Sequence, residues 1–325
     1  MTTRRAFLGT LAGGLLAPLT AGAQQAGKVW RIGLLLPSSP RREPSWQAFE
    51  HGLRELGYVE GRNLIFEYGI TQDMGDQLPA VAHAFVRQNV DLIVTFGASG
   101  AKAAKQATTT TPIVVLSMFV AVESGLVASI ARPGGNITGM SLPYPELAAK
   151  RLELLKAAIP HLARVAFLTT GSRGGEADAA KAMASAARSL GLKMEQYEIQ
   201  RPRDVDRAFA GMKAARVEAI AVSEAAELLH DNKRIAALAL IHHLPTIGAR
   251  QFAENGGLMA YGANLVDIYR HAAIFVDKIL RGAKPADLPV EQPSTFQFVI
   301  NLKTAQALGL TLPQSLLLRA DEVIQ

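Results

Sequence analysis

Cysteine is absent from all 325 residues. That excludes disulfides, thiolate zinc sites, iron–sulfur clusters and cysteine nucleophiles together. Aromatic residues are scarce at 6%. Beyond the N-terminal region no apolar run is long enough to span a bilayer, so no membrane insertion of the rest of the chain is expected. The sequence contains no G-x-S-x-G elbow, no P-loop and no G-x-G-x-x-G. Its seven histidines show no metal-ligand spacing, and the adjacent His242 and His243 would point about 100° apart on a helix. No catalytic residues, no metal and no cofactor are therefore expected.

The rest is ordinary globular material, 49% hydrophobic and 19% charged. The length suits two domains or one large one. Residues 1–23 contain no acid, carry Arg4-Arg5, then an apolar run from Ala6 to Leu19, then Ala21-Gly22-Ala23. These are the parts of an export signal, cleaved near Ala23. Thr3-Arg4-Arg5-Ala6-Phe7-Leu8 is similar to a twin-arginine signal. The competing reading is an N-terminal anchor helix. Cleavage would lower the net charge from +6 to +4, an ordinary balance that gives no ground for a nucleic-acid partner.

From Val29 onward, strand and helix signals alternate. Val29–Leu36 is a continuous apolar strand of the kind buried on both faces. Phe49, Leu53 and Leu56 place a helix over 44–56, stopped by Gly57. Strands over 64–68, 92–95 and 113–116 alternate with helices over 74–89 and 99–107. A second series has helices over 145–159, 175–190, 202–215, 225–242 and 264–280. Its strands cover 165–168, 194–199, 219–222, 246–248 and 296–300. Such alternation predicts an α/β protein of two Rossmann-like lobes with parallel sheets and right-handed crossovers. Pro133–Asn136 and Leu142–Pro145 carry breaker signals and mark the first crossover between lobes.

In this architecture ligands sit beyond the carboxyl ends of the strands, so candidate residues are sought there. Gly97, Ala98 and Ser99 open a helix after a strand, where backbone N–H groups either hold an anion or form a plain tight turn. Thr169, Thr170 and Ser172 occupy the equivalent turn of the second series and either bond a ligand or cap a helix. Arg250 suits a carboxylate ligand, or pairs with Glu254. Glu224 suits an ammonium group, or faces a helix dipole. Tyr144 and Tyr261 either cover a bound molecule or fill the hinge. Ser38, Ser39, Ser117 and Phe119, all at strand ends, complete the set.

Several stretches carry a resemblance: Gly52–Gly61, Ser124–Ser129, Ala131–Gly139, Lys150–Lys156, Gly256–Met259, Val276–Pro293 and Val299–Ala305. Through them the chain resembles, nearly end to end, the ABC-transporter substrate-binding proteins of the TrpX-like (tryptophan/tyrosine) type. The resemblance implies a type I periplasmic-binding-protein fold, in which a three-crossover hinge lets two lobes close on a small-molecule ligand. It also implies ABC permease subunits as partners. The export signal and the lack of a cysteine for a lipid anchor point to a free periplasmic protein, and a monomer is expected. Lobe 1 would comprise 28–141 plus 264–290, and lobe 2 would comprise 142–263 plus 291–325. The family's Gly-Asp-Pro, Trp-Asn-Pro and Asp-Pro turns are replaced here by Phe119-Val120-Ala121, Thr169-Thr170-Gly171 and Ala225-Ala226. With those carboxylates gone, an apolar or aromatic carboxylate is expected to fit better than plain tryptophan. A ligand sensor for a membrane receptor and an α/β enzyme remain as alternatives.

Overall fold

A computed structural model of the chain describes residues 28–36, 43–71, 77–119, 121–122, 124–171, 176–201 and 203–325. Residues 1–27, where the export signal is expected, and the 37–42 and 172–175 segments lie outside it. The first lobe is built on a five-stranded parallel sheet of order β2-β1-β3-β4-β5. Its strands are β1 Trp30–Leu36, β2 Leu64–Ile70, β3 Leu92–Thr95, β4 Ile113–Phe119 and β5 Ile137–Leu142. Helices α1 (Pro44–Glu55), α2 (Leu78–Arg87) and α3 (Gly97–Ala107) fill the first three connections. Residues 32–36 of β1 are all buried, as a strand covered by helices on both faces must be. Trp46, Phe49 and Leu53 form the buried stripe of α1, and the Trp46 ring lies 5.1 Å from Phe49 and 5.5 Å from Phe66.

The second lobe has a seven-stranded sheet of order β12-β11-β10-β9-β8-β6-β7. The strands are β6 Arg164–Thr169, β7 Lys193–Glu198, β8 Ala219–Val222, β9 Thr246–Gly248, β10 Met259–Ala263, β11 Phe296–Asn301 and β12 Glu322–Ile324. Its helices are α4 (Tyr144–Ala158), α5 (Glu176–Ser189), α6 (Asp204–Ala214), α7 (Ala226–His230), α8 (Asn232–Ile241) and α9 (Arg250–Glu254). The C-terminal α11 (Leu302–Ala307) and α12 (Gln314–Leu317) follow β11.

Three segments join the sheets. The first runs from β5 through Pro143 into α4. The second leads from β10 into α10 (Leu265–Leu280), whose Asn264 cap accepts from the Val266 N–H at 3.0 Å. Helix α10 returns to the first lobe and is tied to α1 and the turn after it. Tyr58 donates to Asp277 at 3.0 Å, and Arg270 pairs with Glu55 at 3.1 Å. The third segment runs back toward β11. On the way Glu291 joins the edge of β5, donating to the Gly139 carbonyl at 3.0 Å and accepting from the Ser141 N–H at 2.8 Å. The Glu291 carboxylate also meets His271 of α10 at 2.5 Å.

Beyond the short elements β10, β12, α9 and α12, which the sequence reading lacks, the observed elements depart from it in three places. The 133–136 turn is not a crossover: the chain continues as β5, whose Ile137, Met140 and Leu142 are buried beside β4. The second sheet is not wholly parallel, because β11, entered from the third connecting segment, runs in the opposite sense and pairs antiparallel with β10. The helix expected over 225–242 is broken at Asp231, where φ is −88° and ψ is 11°.

Candidate functional site

Both sheets reverse their strand order beside their first strand. In the first lobe β1 lies between β2 and β3, and in the second β6 lies between β7 and β8. Connections at such a point leave toward opposite faces and open a crevice beyond the carboxyl ends of the strands. The candidate residues fall around these two points.

In the first lobe, the Thr95 hydroxyl donates to the Leu35 carbonyl at 2.9 Å and locks β3 to β1. Helix α3 starts at once. Gly97, at φ +74°, makes the turn, and a Cβ on Gly100 would stand 2.1 Å from the Thr95 hydroxyl oxygen. No side chain caps this helix. Its first N–H groups, from Gly97, Ala98 and Ser99, have no intrahelical acceptor and sit at the positive end of the dipole. Ala98 is buried and Ser99 half-buried. Ser117 is buried in β4, and the Phe119 backbone pairs with Leu142. Ser38, Ser39, Ser172 and the Phe119 side chain lie outside the described residues.

The second lobe gathers a denser set. Glu176, in the first turn of α5, is only 4% exposed. One of its oxygens, Oε2, accepts from the Thr169 hydroxyl at 2.5 Å, the Ser223 hydroxyl at 2.6 Å and the Thr170 N–H at 3.3 Å. Glu176 thus bridges the ends of β6 and β8 across the point where strand order reverses. Burial raises the Glu176 pKa, and the three hydrogen bonds oppose that rise without cancelling it. Beside it Glu224 accepts from Nη2 of Arg151, a residue with no exposed surface. Arg151 reaches from the second turn of α4 and also donates through Nε to the Tyr261 carbonyl at 2.7 Å. Tyr144, fully buried at the start of α4, lies against Arg151, Glu176 and Glu224. Burial is the main cause of its raised pKa.

Tyr144, Thr169, Thr170 and Glu224 are therefore brought together, with the Tyr261 backbone. The Tyr261 ring instead stacks on Phe296 at 6.0 Å. Arg250 is directed elsewhere. It bonds Glu254 at 2.7 Å, Glu322 at 2.6 Å and Gln297 at 3.2 Å, tying α9 to β11 and β12. Sequence reasoning missed three members, Ser223, Glu176 and Arg151. The two charged ones leave a signal, since each is a charge in an apolar helical stripe. Arg151 falls between Leu147 and Leu155 at four-residue steps, and Glu176 precedes buried Ala179, Ala180 and Met183.

A separate polar cavity of about 400 Å³ lies past the end of β7, lined by Glu198, Gln200, Arg201, Arg203, Asp204 and Arg207. Asp204 accepts there from the Gln200 and Arg201 N–H groups and from Arg207. Among the described residues, no group of three or more His, Asp or Glu side chains is placed to hold a metal ion. Nor is any helix among them long and apolar enough to cross a membrane.

The family model described as ABC transporter substrate binding protein matches residues 36–324. A tyrosine-binding protein of Clostridioides difficile is 23% identical over 276 residues, 85% of this chain and 79% of that protein. A Streptococcus ABC domain solved in complex with L-Trp is 27% identical, with a TM-score of 0.84 over 91% of this chain and 99% of that one. A conserved domain protein from Vibrio cholerae is 25% identical, also at TM-score 0.84, over 91% of this chain and all (100%) of that one.

Proposed function

The chain belongs to the ABC transporter substrate-binding protein family and has its two-lobed, type I periplasmic-binding fold, and from that premise we propose what it holds and where. Proteins of this family bind small ligands and work with ABC permeases. The ligand here is a small apolar or aromatic carboxylate or amino-acid-like molecule, held between the lobes. One observation carries this reading: the uncapped N–H groups at Gly97–Ser99 and the buried Thr169, Thr170 and Glu224 group both stand where strand order reverses. The likeness to a chain solved with L-Trp supports it.

Lobe 1 comprises 28–141 plus 264–290, and lobe 2 comprises 142–263 plus 291–325. A bound molecule contacting both favours their closure about the three connecting segments. The chain acts as a monomer without catalysis. It is exported by a twin-arginine leader cleaved near Ala23 and works in the periplasm, a reading supported by Arg4-Arg5 and Ala21-Gly22-Ala23.

Isothermal titration of the mature protein with amino acids, aromatic carboxylates, sugars and nucleosides tests this. Tight one-to-one binding of an aromatic carboxylate or amino acid is expected. Binding confined to sugars or nucleosides would contradict it.

A further inference from the structure

We propose that Arg151 is the positioning residue of the hinge: one buried guanidinium holds the second-lobe ends of all three connecting segments as a single base. This rests on the reading that the lobes move about those segments, and on nothing about what the crevice binds.

Its contacts lead to each segment in turn. Arg151 stands on α4, the helix that receives the first segment, and Tyr144, the first residue of that helix, is buried against it. Its Nε donates at 2.7 Å to the carbonyl of Tyr261, just before the Asn264 cap that opens the second segment. The Tyr261 ring stacks at 6.0 Å on Phe296, the first residue of β11, where the third segment ends. Strands β10 and β11 stay paired as far as Ala263 and Phe296, so these two segments leave the sheet side by side. A Cβ on Gly262 would stand 3.3 Å from both Arg151 Nη2 and Glu224 Oε1, so the hinge strand runs directly past the ion pair. Glu224 fixes the other arm of the guanidinium from beyond the end of β8.

Stability alone gives little reason for a charge here. Desolvation of a buried pair offsets most of its attraction. Arg151 Nη1 is also buried with no hydrogen-bond partner among the described residues, a further cost. What the planar fork supplies is direction, because it sets the angle between a carbonyl on one strand and a carboxylate beyond another.

The ties on the first-lobe side are of another kind. His271 and Glu291 join the second and third segments there, with side chains 40% and 39% exposed. Thr295 reaches Asp267 at 3.3 Å in a further exposed contact. Exposed contacts cost little to break, whereas the buried Arg151 pair does not part without stranding a charge. Bending therefore falls on the first-lobe side, and the second-lobe base moves as one piece.

The test reads the spread of distances between the lobes in the ligand-free protein. The chain has no cysteine, so spin labels attach only at Gln88→Cys in the first lobe and Lys213→Cys in the second, both exposed positions. Double electron–electron resonance should give a narrow distribution for this labelled parent. Arg151→Met with Glu224→Gln removes the fork without stranding a charge and should roughly double the width. Phe296→Leu frees only the ring contact and should broaden the distribution less. Phe209→Leu, a buried change in α6 away from the segments, should lower stability and leave the width alone. A parental width in both hub variants overturns the proposal. Equal broadening by Phe209→Leu also overturns it, because general loosening would then be the cause. If the double variant fails to fold, the width in Phe296→Leu decides alone. A ligand panel with no binder would overturn the crevice reading and leave this result standing.

Discussion

Replacing Arg151 by Met probes the buried hub most sharply. Arg151 has no exposed side-chain surface and Glu224 keeps 9% of its own. Truncating the cation strands a buried carboxylate and removes the donor to the Tyr261 carbonyl. Breaking a buried pair from one side costs about 3–5 kcal/mol, and the orphaned carbonyl is part of that figure. Removing both charges is different, because a well-packed neutral pair is often as stable as the ion pair. Arg151→Met with Glu224→Gln should therefore recover most of the loss, to within about 1–2 kcal/mol of the parent. Urea unfolding followed by far-UV circular dichroism measures all three variants, with each lobe's transition fitted separately if they part. A single substitution costing under about 1 kcal/mol would refute the claim that the pair is dry. A double variant no more stable than Arg151→Met would refute the claim that the stranded charge is the cost.

Other expectations follow the same physics. Because the folded state raises the pKa of Glu176 above its ordinary 4.5, the ligand-free protein should lose stability as pH rises from that value through the folded pKa. Glu176→Gln should remove that decline, as read by urea unfolding at a series of pH values. Trp46→Ala should cost about 3–5 kcal/mol, because the indole is fully buried against Phe49 and Phe66, and the loss should fall on the first lobe's transition. Replacing Arg4-Arg5 with Lys-Lys should block export, with uncleaved precursor seen on immunoblots of fractionated cells.

Much of the fold can be read from apolar patterning. β1 is unambiguous because a strand covered on both faces has to be apolar throughout. α10 is equally clear, since its buried residues recur at helical steps over 16 residues. What is not legible is short or small. β10 reads Met-Ala-Tyr-Gly-Ala and lacks a branched run, and it exists because β9 and β11 supply its partners. β5 follows a Gly-rich turn that dominates the local signal. The site divides in the same way. Residues at strand ends, such as Thr169 and Glu224, can be nominated by position alone, since topology puts ligands there. Glu176 and Arg151 stand on helices, so their position in the chain hides them. Only a charge interrupting an apolar stripe betrays them. Arg250 also stands at a strand end, and there its guanidinium is claimed by Glu254, the alternative the sequence offered, and by Glu322.

The central claim is that one small ligand joins the two lobes where strand order reverses. A crystal structure of the mature protein with the tightest ligand from the titrations tests it most directly. The account predicts density between the Gly97–Ser99 N–H groups and the Thr169, Thr170, Glu176 and Glu224 group, touching both lobes. Density confined to one lobe, or lodged in the arginine-lined cavity past β7, would contradict it.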